Sequence, residues 1–183
     1  MTDRKVPALF VAITALDNTS EAVTIIKARL AEHGLEAIIF GSGGGPAIRE
    51  LAEGGLLVGA IEFASCDSPA DNLGSLRLSR LVVPVCPDYN KQGRPSNAGH
   101  ETANSLNNAL GPVVVMVPTE GFSRPTVESD TFLKQLMDKL SAKVQRITIE
   151  ADVNSPRFAN RVADEFLRMV SNVPATRGGT TPT

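Results

Sequence analysis

The chain has no tryptophan, one tyrosine and seven phenylalanines. So few aromatics leave little to stack on bases, which argues against a single-strand nucleic-acid binder. A large excess of charge of either sign is missing too. The formal net charge is −2, so no basic field draws nucleic acid or an anionic membrane. There are two cysteines, Cys66 and Cys86, and two histidines, too few for a structural zinc site or a disulfide framework. A thiol-reduced cytoplasmic setting is the expectation. No apolar run reaches the length of a membrane span, and the polar first eight residues do not read as a signal peptide.

The 183 residues, 42% hydrophobic, suffice for one substantial core. Apolar runs of strand length occur at Leu9 to Thr14, Leu35 to Phe40, Leu56 to Ala64, Leu81 to Cys86, Val113 to Val117 and Val144 to Ile149. Between them lie stretches of helical period. The first has Ser20 placed to cap it and Gly34 to stop it, with Val23, Ile26 and Leu30 on its apolar face. The second starts at Pro46 and stops at Gly54-Gly55. A weak helix is expected after Asn72, to about Arg80, and another from His100 to Leu110. Phe132, Leu136 and Leu140 mark a fifth, and Ser155-Pro156 opens the last, whose apolar face carries Phe158, Val162, Phe166 and Val170. Six strands alternating with helices predict an α/β fold: a doubly wound, mostly parallel sheet, Rossmann-like or flavodoxin-like, in three αβα layers. Residues 1–172 are expected to form this single domain, and the polar tail 173–183 to be disordered.

In such a sheet, ligands bind beyond the carboxyl ends of the strands. The stretch Phe40-Gly41-Ser42-Gly43-Gly44-Gly45-Pro46 stands at one of them. A glycine turn opening a helix presents backbone N–H groups and the positive end of the helix dipole, which suits phosphate or carboxylate. A plain tight βα turn fits the same residues. Neither a P-loop lysine nor a spaced G-x-G-x-x-G fingerprint is present. Ser42, Gly43, Gly44 and Gly45 are the candidate anion contacts. Ser65, Asp88, Asn90 and Ser123, in loops leaving the same edge, complete the candidate set; each is equally a turn former or helix cap. His100, beside Glu101, is either a general base or a solvent-facing side chain. Cys66 and Cys86 are either nucleophiles or inert strand-end thiols. Asp67, Asp71 and Asp88 show no spacing that demands a metal, so none is assigned, and no cofactor is implied. Lys91 reads as a solvated loop charge, while Arg94 and Arg124 are either that or partners of a substrate anion.

Three motifs together, Phe40 to Ala47, Pro118-Thr119-Glu120-Gly121-Phe122-Ser123 and Asn154-Ser155-Pro156-Arg157-Phe158-Ala159, resemble the C-terminal half of the tomato mosaic virus resistance protein family. The resemblance runs from about residue 8 to 170. It implies a Rossmann-like fold and a ligand cleft; members usually have two such halves, and the N-terminal half of the plant member is the one linked to ATP. Here Glu62 and Ser65 stand near an aspartate and a threonine run of the family. Asp152 stands where a histidine is usual, and no N-terminal half is present. The resemblance implies a domain that binds a small anionic metabolite or nucleotide, acting with a separately encoded N-terminal half or as a homo-oligomer. The alternative is one subunit of an enzyme acting on an oxo-acid or phosphorylated metabolite.

Overall fold

The structure, a computed structural model, describes residues 10–41, 43–65, 70, 73, 76–85, 97–120 and 127–172, with backbone only for 127–129. The expected tail lies outside these residues.

Six strands form one parallel sheet: β1 (Phe10–Thr14), β2 (Glu36–Phe40), β3 (Leu57–Ala64), β4 (Ser79–Pro84), β5 (Val113–Glu120) and β6 (Gln145–Asp152), in the order β2-β1-β3-β4-β5-β6. Among the described residues four helices connect them, α1 (Ser20–Glu32), α2 (Gly45–Glu53), α3 (Ala98–Asn107) and α4 (Val127–Lys139), and α5 (Pro156–Ser171) follows β6. The expected doubly wound three-layer fold is the one observed.

The strands run apolar because both sheet faces are covered. On one face, Val11, Ile13, Ile61, Phe63, Leu81, Val83, Val114 and Met116 meet α1 through Val23, Ile26 and Leu30, and α5 through Phe158, Val162 and Phe166. Gly59 belongs to this contact: a Cβ there would lie 2.6 Å from the Phe166 ring. The opposite face holds two clusters. Val82, Val113, Val115 and Val117 pack under α3 and α4, while Ala12 and Ala60 pack under Ile48 of α2 with Leu73 and Leu78. Gly99 lets α3 approach α4 closely, since a Cβ would collide with the Phe132 carbonyl.

Two local expectations fail. No helix runs up to Arg80: Leu76 to Leu78 are non-helical, and β4 already begins at Ser79. Gly74 in that stretch is a poor helix former, and Leu73 and Leu78 are buried in the cluster beneath α2. Ser20 does not cap α1 either. It is the first helical residue, preceded by a 3₁₀ turn (Asp17–Thr19). Thr19 closes that turn, its hydroxyl donating to the Leu16 carbonyl (2.7 Å) and accepting from the Leu16 N–H (3.0 Å). Gly34 and Gly55, both at positive φ, end α1 and α2 as expected. Among the described residues no helix is long and apolar enough to cross a membrane.

Candidate functional site

All six strands point the same way, so the turns after them share one edge of the sheet. The strand order reverses between β1 and β3. In folds of this kind ligands bind at such a reversal, in the crevice beyond the carboxyl ends of the strands. The Ala15 to Thr19 turn follows β1 there, and Ser65 follows β3. The glycine turn follows β2, one strand outboard of β1, and lies about 10 Å from the end of β3, two strand spacings away.

Gly43 has φ +89°, a backbone conformation that requires glycine. The Gly44 N–H donates to the Gly41 carbonyl at 3.2 Å and closes the turn. Helix α2 then starts at Gly45, one residue before the expected Pro46, with the Ile48 N–H donating to the Gly44 carbonyl at 3.0 Å. Gly44 is small for an internal reason: a Cβ would sit 2.6 Å from the Phe40 Cβ. The Gly44 N–H is thus spent within the turn, and Pro46 has none. Gly45 and Ala47 are left among the donors that a helix start offers.

The other helix starts at this edge are furnished differently. The Ala22 N–H of α1 donates to Asn154 Oδ1 at 3.2 Å, and Asn154 Nδ2 donates to the Asn18 carbonyl at 2.8 Å. Asn154 therefore ties the turn after β6 to the turn after β1. Asp152 accepts from the Asn154 N–H at 2.7 Å, a turn-forming role. At α5 the Phe158 N–H donates to Ser155 Oγ at 3.2 Å, as the sequence predicts. Helix α3 carries Glu101 in its first turn. Helix α2 has neither a side-chain cap nor an acidic residue in its first turn.

Of the candidate contacts, Gly43, Gly44, Gly45 and Ser65 lie at the shared edge, with Ser65 almost wholly buried. Ser42, Asp88, Asn90 and Ser123 lie outside the described residues. So do Cys66, Cys86, Asp67, Asp71, Lys91, Arg94 and Arg124. His100 is half-buried in the first turn of α3 and Glu101 is exposed. Among the described residues no group of three or more His, Cys, Asp or Glu side chains is placed to hold a metal.

Sequence reasoning missed a buried ion pair below the crevice. Arg80 donates from Nε to Glu62 Oε1 (2.7 Å), from Nη2 to Glu62 Oε2 (2.9 Å) and from Nη1 to Ser105 Oγ (3.2 Å). Both charged side chains are essentially inaccessible, at 0% and 1%. Glu62 lies beside Thr14 in the β1–β3 register, one strand turn below Ser65. The signal was available: Glu62 is the lone charge in the apolar run Leu56 to Ala64, and Arg80 stands at the head of another. Hydrogen bonding to Glu32, then Asp164, raises the Arg29 guanidinium, and hydrogen bonding to Glu165 raises Arg168.

Comparison with known proteins agrees with the fold and leaves the chemistry open. Residues 92–170, rather less than half of the chain, match the family described as "Uncharacterised protein family (UPF0261) C-terminal domain". No curated protein sequence matches the chain. Among solved structures it is similar to the esterase domain of a Rhodothermus marinus protein (TM-score 0.59, 15% identity, covering 92% of this chain and 89% of that one). TT1662 from Thermus thermophilus is also similar (0.53, 13%, 93% and 92%). So is a thioesterase domain from the curacin biosynthetic pathway (0.50, 7%, 87% and 90%). At these identities the likeness is one of fold.

Proposed function

We propose that this domain binds a small anionic metabolite or nucleotide at the carboxyl edge of its sheet, in the cytoplasm. It works as a homo-oligomer or beside a separately encoded N-terminal half of the kind found in the tomato mosaic virus resistance protein family. One observation carries the ligand reading: the start of α2 has no side-chain cap and no acidic first-turn residue, whereas α1 and α5 are closed by Asn154 and Ser155. An anion there meets the Gly45 and Ala47 N–H groups and the positive end of the α2 dipole. Ser42 belongs to the same turn, and Ser65, Asp88, Asn90 and Ser123 follow neighbouring strands. The match to a family's C-terminal domain supports the partner half of the reading.

A second reading, an enzyme subunit acting on an oxo-acid or phosphorylated metabolite, draws on Ser65, which ends β3 at the crevice. The esterase and thioesterase likenesses do not extend it to serine hydrolysis. No glycines flank Ser65 as in a G-x-S-x-G elbow, and the turn after β6 holds Asp152-Val153-Asn154, where a hydrolase of this chain order places its histidine.

Calorimetric titration of inorganic phosphate, adenine nucleotides and small oxo-acids tests the site. Gly41→Val is the informative variant, because a Cβ at Gly41 meets nothing within 4 Å and the fold is spared. Gly44→Val would collide with Phe40 and confuse folding with binding. Binding to the wild type weakened at least about tenfold in Gly41→Val, about 1.4 kcal/mol, is the expected result. Equal affinities would leave the turn a turn.

A further inference from the structure

We propose that the free edge of β2 is the docking surface for a second copy of this chain, paired antiparallel about a twofold axis through Ile38. This rests on the assembly part of the reading above and not on its ligand site.

The two edges of the sheet differ in how they are defended. Exposed strand edges invite pairing with other chains, and proteins blunt them with charge, proline or bulges. Strand β6 shows Gln145, Arg146, Thr148 and Glu150 to solvent. Strand β2 reads Glu-Ala-Ile-Ile-Phe, with no lysine, no proline and no register shift against β1. Ile39 is 42% exposed, one of three large apolar side chains so placed among the described residues. Ile38 and Phe40 are half-buried.

The backbone fixes the register. The Phe40 carbonyl accepts from the Ala15 N–H at 2.8 Å, so Phe40 faces β1. By alternation Ile38 and Glu36 face β1 as well, and the N–H and C=O groups of Ala37 and Ile39 face outward. Among the described residues β2 pairs only with β1. In an antiparallel pair centred on Ile38, Ala37 lies opposite Ile39 of the second copy, and Ile39 opposite its Ala37. These become the two hydrogen-bonded pairs, and every outward group of the strand finds a partner. Ile38 meets its own copy at the intervening close pair.

The side chains agree with that register. Ala37 and Ile39 share one sheet face, so each Ile39 lies over the small Ala37 of the other copy. Glu36 falls opposite Phe40, and the two Glu36 carboxylates are kept apart by four residues of strand. A five-residue ladder buries less than the roughly 1,000 Å² that a stable interface needs. Ile25 and Leu35, partly exposed beside the Ala37 cluster, supply adjoining apolar surface. The result is one sheet continuous through both copies.

Light scattering and sedimentation of the full chain across a concentration series test this, with Ile38→Cys as a covalent probe. Opposed residues at a close antiparallel pair have Cα atoms about 4.5 Å apart, within disulfide reach. A wild-type dimer is expected, with a dissociation constant raised at least about tenfold by Ile39→Lys and unchanged by Thr148→Lys on β6. Ile38→Cys should cross-link under mild oxidation where the wild type does not. A wild type that stays monomeric, including one that binds a different protein along β2, overturns the proposal. So does a folded Ile39→Lys dimer of unchanged strength, or an Ile38→Cys dimer that fails to cross-link. A failed ligand titration leaves the proposal standing, and a monomer leaves the ligand site standing.

Discussion

The two faces of the sheet are built on different terms. Under α1 and α5 lies one uninterrupted apolar cluster, in which Phe158, Val162 and Phe166 are wholly buried against the central strands. The other face is divided. Along β3 it reads Ala60, Glu62, Ala64: Ala60 belongs to the small cluster under α2, Ala64 to the larger one under α3 and α4, and Glu62 stands between them with Arg80. Helix α5 buries seven residues; α2 buries Gly45 and Ile48. Free energy scales with apolar area removed from water, so the first face holds the fold together. The second face carries the glycine turn, on the helix with the least buried apolar surface. Binding elements are drawn from such low-stability regions.

The largest break in that contrast is removal of the charge at the divide. A carboxylate buried at 1% exposure loses its bidentate guanidinium partner in the variant. Arg80→Met should destabilise the domain by about 3–5 kcal/mol, read from the urea midpoint. The double variant Glu62→Leu/Arg80→Met should recover most of this, because burying two apolar side chains avoids both desolvation costs. If the double variant is as unstable as the single one, the pair is specifying the packing between the two clusters and not merely tolerated there.

A smaller and more local effect is expected at Ile48, the one side chain of α2 that is wholly buried. Ile48→Ala removes its contacts with Ala12, Ala60, Leu73 and Leu78, at a cost of about 2–5 kcal/mol if the whole domain feels it. The faces predict that it does not. Hydrogen exchange should show the amides of residues 45–53 losing protection while those of 156–171 keep theirs. Equal loss in both helices would mean that the faces unfold as one unit and that α2 has no independence.

How much of this could be read from residues alone follows from which forces are local. The six strands and the Ser155-Pro156 start were legible because apolar period and capping act within a few residues. So were the glycine stops, Gly34 and Gly55. Ser20 misled because Thr19, one residue earlier, closes a 3₁₀ turn with its own hydroxyl, and because the α1 start is served by Asn154, which is 132 positions away from Ala22. The stretch before Arg80 misled because Leu73 and Leu78 are buried in the small cluster under α2, with Leu76 packed against it, without a helix at Leu76 to Leu78. Glu62 breaks one apolar run and Arg80 heads another, and only the folded sheet brings the two together. At the glycine turn, the sequence located the loop; that Gly44 yields to Phe40 rather than to a ligand depends on packing.

The smallest effect sharpens the comparison at the helix starts. Ser155 Oγ accepts the Phe158 N–H at 3.2 Å and donates to the Asp152 carbonyl at 2.7 Å, so Ser155→Ala removes a cap and a turn bond together. Caps are worth about 1 kcal/mol, and the loss should appear as a lower denaturation midpoint with an unchanged slope, since the exposed surface of the unfolded chain is the same. At α2 the corresponding position is Gly44, which supplies no side chain to lose. In the reading proposed above, the N–H groups there are met by the anion. Added phosphate should therefore raise the midpoint of wild type and Ser155→Ala by the same increment, because the anion acts at α2 and the lost cap at α5. If phosphate instead restores Ser155→Ala selectively, the anion is substituting for the missing hydroxyl at α5, and the contrast between a closed and an open helix start is wrong.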